Sequence, residues 1–185
     1  MSRIETAGPS TQNPQQQEAR ALLRKAWGGV PNLGEVIALS TPLTRALLDF
    51  DRALGKGAFR GKVGEQLAIA VANENRCAYC LAAHSDTARE FGVSEEDILA
   101  ARSGHASDPK VQAALTFVQR VVRHRGRPSD DQLAEVRAAG YGDPEIVELV
   151  GHAIATTLTN YLHHLSDVPL DFPAVEFAAE DPATV

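Results

Sequence analysis

Cysteine, long apolar runs and excess positive charge are all scarce in this chain of 185 residues. No apolar stretch approaches the roughly 20 residues that a helix needs to cross a bilayer. The first residues have neither the basic start nor the apolar stretch of a signal peptide. The net charge of −6 argues against nucleic acid as a main partner. We therefore expect a cytoplasmic protein that binds neither nucleic acid nor membrane.

The only two cysteines, Cys77 and Cys80, are separated by two residues. In a reducing compartment, a cysteine pair this close is more often redox-active or metal-binding than a structural crosslink. The scarcity of cysteine elsewhere in the chain therefore makes this short segment the first candidate for function.

Helix signals occur along the whole central part of the chain, and no segment shows the alternating pattern of a strand bounded by turns. Glycine and proline separate segments whose apolar residues have helical spacing, so the sequence predicts an all-α fold. Two of the predicted helices, over residues 62–74 and 76–91, carry the candidate site. We expect one domain over residues 15–172, a disordered segment over residues 1–14 that lacks anchoring apolar residues, and an acidic tail over residues 173–185.

The predicted cysteine helix places three reactive side chains on one face. Residues three or four apart on a helix are neighbours, so Cys77, Cys80 and His84 project the same way. Cys77 falls in the predicted first turn, where the helix dipole favours a thiolate. Glu65 lies on the preceding, mostly apolar helix, and a carboxylate in that setting needs a partner. These four residues form the candidate catalytic site, in which His84 is able to take a proton from Cys80.

Several interpretations of this cluster are open from the residues alone. The first is a thiol peroxidase or thiol–disulfide oxidoreductase. The second is a zinc-binding module, because two thiolates, an imidazole and a carboxylate are plausible zinc ligands. Against zinc, three of the four groups lie on one helix face, whereas structural zinc sites usually draw ligands from separate segments. The third is a non-enzymatic oligomeric scaffold whose cysteines sense oxidation, and the last is a pair of small buried residues with a packing role.

The spacing of the four residues resembles the active-site motif of a known family. Glu65, eleven intervening residues, Cys77-x-x-Cys80, three more residues and then His84 are similar to the motif of the AhpD-like alkylhydroperoxidases. These proteins belong to the carboxymuconolactone decarboxylase superfamily. The segments that carry the resemblance are residues 47–101, with the apolar run 64–72, and weaker echoes at 159–161 and 171–173.

The resemblance implies an all-α fold that assembles as a homo-oligomer, often a trimer or hexamer, and peroxide reduction without haem, metal or other cofactor. It implies that the Cys80 thiolate attacks the peroxide and becomes a sulfenic acid, which Cys77 resolves to a disulfide. His84 and Glu65 would move the proton that activates Cys80. A dithiol reductant, in the AhpD branch a lipoylated adaptor protein, would then reduce the pair again.

Tyr79 is a departure from the family motif. It stands just before the second cysteine, where the AhpD motif has a histidine. A tyrosine hydroxyl, with a reference pKa of about 10, does not carry protons easily near pH 7. The relay from Glu65 is therefore expected to run through water, through His84, or through the Tyr79 hydroxyl as a fixed hydrogen-bonding group. Three further histidines, His152, His163 and His164, have roles that the sequence does not reveal.

Overall fold

The computed structural model describes residues 2–179, and within them it contains nine α-helices and no β-strand. The helices are α1 (Pro14–Trp27), α2 (Asn32–Ile37), α3 (Thr41–Leu54), α4 (Lys62–Glu74), α5 (Ala78–Glu90), α6 (Glu95–Ala101), α7 (Pro109–Arg123), α8 (Asp130–Ala138) and α9 (Asp143–Ser166). The predicted all-α fold is confirmed for this part of the chain. None of these nine helices is both long and apolar enough to cross a membrane.

Helix α4 forms the centre of the structure, and α5, α6, α7 and α9 pack around it. Every residue from Gln66 to Asn73 is buried, because the nearly continuous apolar sequence leaves this helix without a polar face. A close contact fixes its first turn: a Cβ at Gly64 would lie 2.8 Å from the carbonyl oxygen of Phe59. Only glycine allows that approach, which places the neighbouring Glu65 beside the loop that carries Phe59.

A left-handed residue, Arg76, turns the chain from α4 into α5. Its φ is 54°, a conformation that costs a non-glycine residue about 1–2 kcal/mol. The backbone N–H of Arg76 donates to the carbonyl of Asn73 at 3.0 Å, and that of Cys77 donates to the carbonyl of Ala72 at 2.9 Å. These two bonds end α4 in a Schellman motif. The helix predicted from residue 76 therefore begins only at Ala78, and Cys77 is its N-cap rather than a first-turn residue.

Residues 2–13 contain no helix or strand, but they contact the rest of the structure. The backbone N–H of Arg3 donates to the carbonyl of Ser166 at 2.6 Å, and that of Ala7 donates to the carbonyl of Glu35 at 3.0 Å. Ala7 is also buried. These contacts differ from the disorder expected for residues 1–14, because backbone hydrogen bonds to distant elements leave no pattern in a polar segment. Met1 lies outside the described residues, and the domain limits stay a prediction.

The chain after α9 returns across the turn between α4 and α5, and we call residues 167–179 the C-terminal strap. The guanidinium of Arg76 donates to the carbonyl of Ala178 at 3.2 Å and lies 5.2 Å from the ring centre of Phe177. The backbone N–H of Ala178 donates to Oδ1 of Asn73 at 2.9 Å. These contacts hold the strap beside the cysteines. The predicted acidic tail begins within the strap at residue 173, and its residues 180–185 lie outside the described part of the chain.

Candidate functional site

A cleft of about 970 Å³ opens beside α5, and its lining includes Cys80, His84 and Glu65. Three of the four predicted site residues therefore share one space that solvent can enter. Apolar side chains supply much of the remaining wall, among them Trp27, Val30, Leu54, Phe59, Phe91 and Phe172. Such a wall excludes water from parts of the cleft and strengthens the interactions between the charged groups that line it.

The two cysteines occupy different positions relative to the cleft. Cys80 lines it and keeps 3 % of its surface exposed, whereas Cys77 has no exposed surface. Both are free thiols. The Cys77 sulfur accepts a hydrogen bond from the backbone N–H of Cys80 at 3.4 Å and so caps the N-terminus of α5. Cys80 is therefore the sulfur that a molecule in the cleft reaches, and Cys77 lies behind it.

The two thiols also differ in acidity. A hydrogen bond from the Cys77 side chain lowers the pKa of Cys80 to about 7 against the opposing effect of burial. The charge of His84 and the neighbouring side chains of Asn160 and Thr159 also lower this pKa. The same side-chain hydrogen bond and burial raise the pKa of Cys77. The expectation that the helix N-terminus favours a Cys77 thiolate is therefore wrong. Backbone hydrogen bonds there do lower the pKa of Cys77, but the bond to the Cys80 side chain and burial outweigh them, so Cys77 keeps its proton.

Glu65 and His84 form a hydrogen-bonded pair in the cleft. Oε2 of Glu65 lies 2.8 Å from Nδ1 of His84. Burial lowers the pKa of His84, but the hydrogen bond and charge of Glu65, together with the charges of Cys80 and Asp51, outweigh that effect and leave the pKa above its ordinary value. Because Glu65 accepts a proton at Nδ1, Nε2 is the nitrogen that exchanges protons with other groups. The half-buried carboxylate and the imidazole thus hold one proton beside the cysteine.

Asp51, on α3, is a cleft residue that carries no signal in the sequence. It lines the cleft together with Glu65 and His84. Asp51 keeps much of its surface exposed, and partial desolvation raises its pKa to about 6. The charge of His84 opposes this shift and that of Glu65 adds to it. A single aspartate on an amphipathic helix belongs to no motif, so only the structure reveals that it faces the site.

Helix α9 contributes two further residues, Thr159 and Asn160. The hydroxyl oxygen of Thr159 lies 3.9 Å from the sulfur of Cys80. Asn160 is completely buried, and its Oδ1 accepts a hydrogen bond from Nδ2 of Asn75 at 2.9 Å. The weak sequence echo at 159–161 was the only signal for these residues, and it indicated no role for either.

Tyr79 is directed away from the Glu65–His84 pair. Its buried hydroxyl donates to the carboxylate of Asp171 in the C-terminal strap and accepts from the backbone N–H of Leu33 at 3.3 Å. Burial and the hydrogen bond to Asp171 raise the pKa of Tyr79, so the phenol stays protonated. Of the three relay routes left open by the sequence, the direct route from Glu65 to His84 is the one with a contact in the structure. Tyr79 instead holds the strap against the cysteine segment.

A Tyr79→Phe substitution tests this role. The ring stays in place, but the Asp171 carboxylate loses a donor and the Leu33 N–H loses an acceptor. We expect the free energy of unfolding to fall by about 1–2 kcal/mol. The free energy of unfolding is measured by urea denaturation, with the fluorescence of Trp27, the single tryptophan, as the signal. Tyr161→Phe, the same change at an exposed position, serves as control. Equal losses in both variants would show that the Tyr79 hydroxyl does not anchor the strap.

The other histidines lie in structural surroundings. His152 lines the cleft, 3.8 Å from the carboxylate of Glu148, and burial lowers the pKa of His152. His163 is buried, and its Nε2 lies 3.2 Å from a carbonyl oxygen of the strap. Nε2 of His164 lies 3.3 Å from a carbonyl oxygen of the α4–α5 turn. Both of these histidines therefore help to hold the chain around the cysteine segment.

The zinc interpretation lacks a suitable arrangement of ligands. Within residues 2–179, no three or more histidine, cysteine, aspartate or glutamate side chains are grouped so that they could hold a metal ion. Glu65 and His84 face each other, and Cys77 lies behind Cys80. The geometry therefore favours proton transfer and thiol chemistry over metal binding.

Comparison with known proteins agrees with the motif. Residues 42–121 match the model of the carboxymuconolactone decarboxylase family. This central region is therefore similar to the family, in agreement with the superfamily that the motif resembles. The matched region includes all four predicted site residues, Glu65, Cys77, Cys80 and His84. No curated protein matches the chain in sequence.

Solved structures show the same fold at low sequence identity. A protein from Ralstonia eutropha JMP134, described as an alkylhydroperoxidase AhpD core and uncharacterized peroxidase-related protein, is similar with a TM-score of 0.75, 20 % identity and 92 % coverage of both chains. A peroxidase-related protein from Silicibacter sp. TM1040 gives a TM-score of 0.73, 18 % identity and 95 % coverage of both chains. A cysteine-to-alanine variant of the debrominase Bmp8, in complex with 2,3,4-tribromopyrrole, gives a TM-score of 0.73 and 16 % identity. The similarity covers 92 % of this chain and 94 % of the Bmp8 chain. At these identities the comparisons show the fold alone.

Proposed function

We propose that this protein is a thiol-dependent peroxidase that reduces hydroperoxides with Cys80 as the attacking thiolate. The observation that carries the proposal is the asymmetry of the cysteine pair. Cys80 lines the cleft with a pKa lowered to about 7, while the buried Cys77 keeps its proton. A thiolate that lines a cleft with a protonated thiol behind it is the arrangement that peroxide reduction followed by disulfide formation requires.

The reaction proceeds in two balanced steps. The Cys80 thiolate attacks one peroxide oxygen, an S–O bond forms as the O–O bond breaks, and the leaving alkoxide takes the proton from His84. The sulfur is then a sulfenic acid. The sulfur of Cys77 attacks that of Cys80, an S–S bond forms, and water leaves. A dithiol restores both thiols and is itself oxidised to a disulfide; a lipoylated protein is the reductant class that the family resemblance suggests.

Two other observations support this proposal. The Glu65–His84 pair supplies a proton donor one helical turn from Cys80, and the carboxylate raises the pKa of His84, so that the imidazole carries its proton more readily. Two structures with the same fold are described as peroxidase-related. The proposal does not need a metal or a cofactor.

Peroxide consumption by the reduced protein tests the proposal. With an organic hydroperoxide and no donor, we expect an equimolar amount to be consumed and one disulfide to form per chain. With dihydrolipoamide, dithiothreitol or reduced thioredoxin supplied in turn, at least one donor should support repeated turnover. Disulfide formation without turnover for any dithiol would instead favour the alternative function, a redox-sensing module.

We further propose that the protein assembles as a homo-oligomer, which the family resemblance implies as a trimer or hexamer. Support comes from an apolar stripe on α9 that is exposed to solvent in the single chain. Its residues repeat at helical spacing and are Val147, Ile154, Tyr161 and Leu165. Light scattering coupled to gel filtration measures the subunit number directly, and a monomeric mass at micromolar concentration would contradict this part of the proposal.

A further inference from the structure

Asn160 has a buried amide nitrogen that no protein group satisfies. The residue is completely buried, and within residues 2–179 its Nδ2 has no hydrogen-bond partner. A buried donor left unpaired costs about 1–3 kcal/mol, so such groups are rare and usually have a reason. This N–H group therefore requires an acceptor.

The orientation of the Asn160 amide is fixed by Asn75. Nδ2 of Asn75 donates to Oδ1 of Asn160 at 2.9 Å and to the hydroxyl of Thr157 at 3.1 Å. Because Asn75 presents a donor, the amide oxygen of Asn160 must face it, and the amide nitrogen must point the other way. Asn75 is the C-cap of α4, two residues before Cys77, so the network is anchored in the turn that carries the cysteines.

The sulfur of Cys80 lies beside this part of α9 and is a candidate acceptor. The preceding residue, Thr159, has its hydroxyl oxygen 3.9 Å from that sulfur. The Thr159 hydroxyl donates to the carbonyl of Thr156 at 2.9 Å, so its own proton is engaged. The Asn160 side chain is also among the groups that lower the pKa of Cys80. A neutral thiol is a weak acceptor and a thiolate a strong one, so this donor gains a strong partner when Cys80 ionises.

We propose that Asn160 is a further catalytic residue of this site, whose amide N–H group donates to the Cys80 sulfur and stabilises its anionic form. Only 3 % of the surface of Cys80 is exposed, so water contributes little to solvating a negative charge on its sulfur. Fixed protein donors must do so instead. Cys77 supplies one donor from its thiol, and Asn160 supplies the other from α9. When Cys77 later gives up its proton to form the disulfide, Asn160 is the donor that stays.

The role in peroxide reduction rests on the function proposed above, but the stabilisation of the anion can be measured without peroxide. The probe is the rate at which iodoacetamide alkylates the reduced protein as a function of pH, with mass spectrometry to identify the labelled cysteine. In the unaltered protein we expect label on Cys80 with an apparent pKa near 7, as the structure gives. Loss of one charge-assisted hydrogen bond should raise the apparent pKa of Cys80 by about one pH unit. At a pH below the pKa, the fraction of Cys80 present as thiolate would then be about tenfold lower.

Two variants keep the test falsifiable if one of them fails to fold. Asn160→Ala removes the amide without adding charge, and Asn160→Asp keeps an oxygen that accepts from Asn75 but removes the donor. Both should raise the apparent pKa of Cys80. The control Asn13→Ala removes an amide from the exposed N-cap of α1, outside the cleft, and should not change it. An unchanged pKa in a folded Asn160 variant, or an equal rise in Asn13→Ala, would overturn the proposal whether or not the protein turns over peroxide.

Discussion

Replacing Cys80 with serine is expected to reduce peroxide consumption to the level of the buffer. A serine hydroxyl in this place stays protonated near neutral pH and is a poor nucleophile toward an O–O bond, whereas the Cys80 thiol ionises with a pKa of about 7. Cys77 cannot substitute for it, because Cys77 is completely buried and its pKa is raised. The measurement is peroxide loss per chain with and without a dithiol.

Cys77→Ser is the matched variant, and its expected defect is different. The hydroxyl of the new serine is able to donate to the Cys80 sulfur as the Cys77 thiol does, so the first reaction with peroxide should continue. No second sulfur resolves the product, so Cys80 sulfenic acid should accumulate, detectable as a dimedone adduct, and turnover with a dithiol should be lost or slowed. If Cys77→Ser stopped the first reaction while Cys80→Ser preserved it, the two roles would have to be exchanged.

The features that follow from apolar pattern and spacing could be predicted from the sequence. The bounds of α4, residues 62–74, agree with the prediction, since a long apolar run without a polar face specifies a helix buried on all sides. The sequence also predicts that Glu65 has a partner, because a carboxylate in an apolar segment has to be paired. Contact between neighbouring helices α4 and α5 brings His84 to it.

The features that depend on backbone conformation or on distant segments could not be predicted. Arg76 adopts a conformation usually taken by glycine, so the sequence did not reveal that the cysteine helix begins after it. The acidity of Cys77 could not be predicted either, because the Cys80 side chain and burial raise its pKa. Asp51 and Asn160 reach the site from α3 and α9, through tertiary packing that spacing along the chain does not encode. The anchoring of Tyr79 by Asp171 spans a separation of 92 residues.

The Glu65→Gln variant is expected to lower the rate of the first reaction at neutral pH by about 100-fold, within the range usual for general acid–base groups. Glutamine keeps the size of the side chain but removes the charge that raises the pKa of His84, so the effect of burial prevails and that pKa falls. Fewer His84 side chains then carry the proton that the leaving alkoxide takes. The weaker positive charge also raises the pKa of Cys80, because His84 is one of the groups that lower it.

The pH dependence of the rate distinguishes this explanation from a general disturbance of the site. In the unaltered protein, the reaction needs both an ionised Cys80, whose pKa is about 7, and a protonated His84, whose pKa is raised, so the rate should pass through a maximum with pH. In Glu65→Gln the falling limb should move to lower pH and the rising limb to higher pH, so the maximum becomes lower and narrower. Glu95→Gln, which removes the same charge from an exposed pair with Arg89, should leave the profile unchanged. A Glu65→Gln profile that merely scales down, with both limbs in place, would show that Glu65 does not set the protonation of His84.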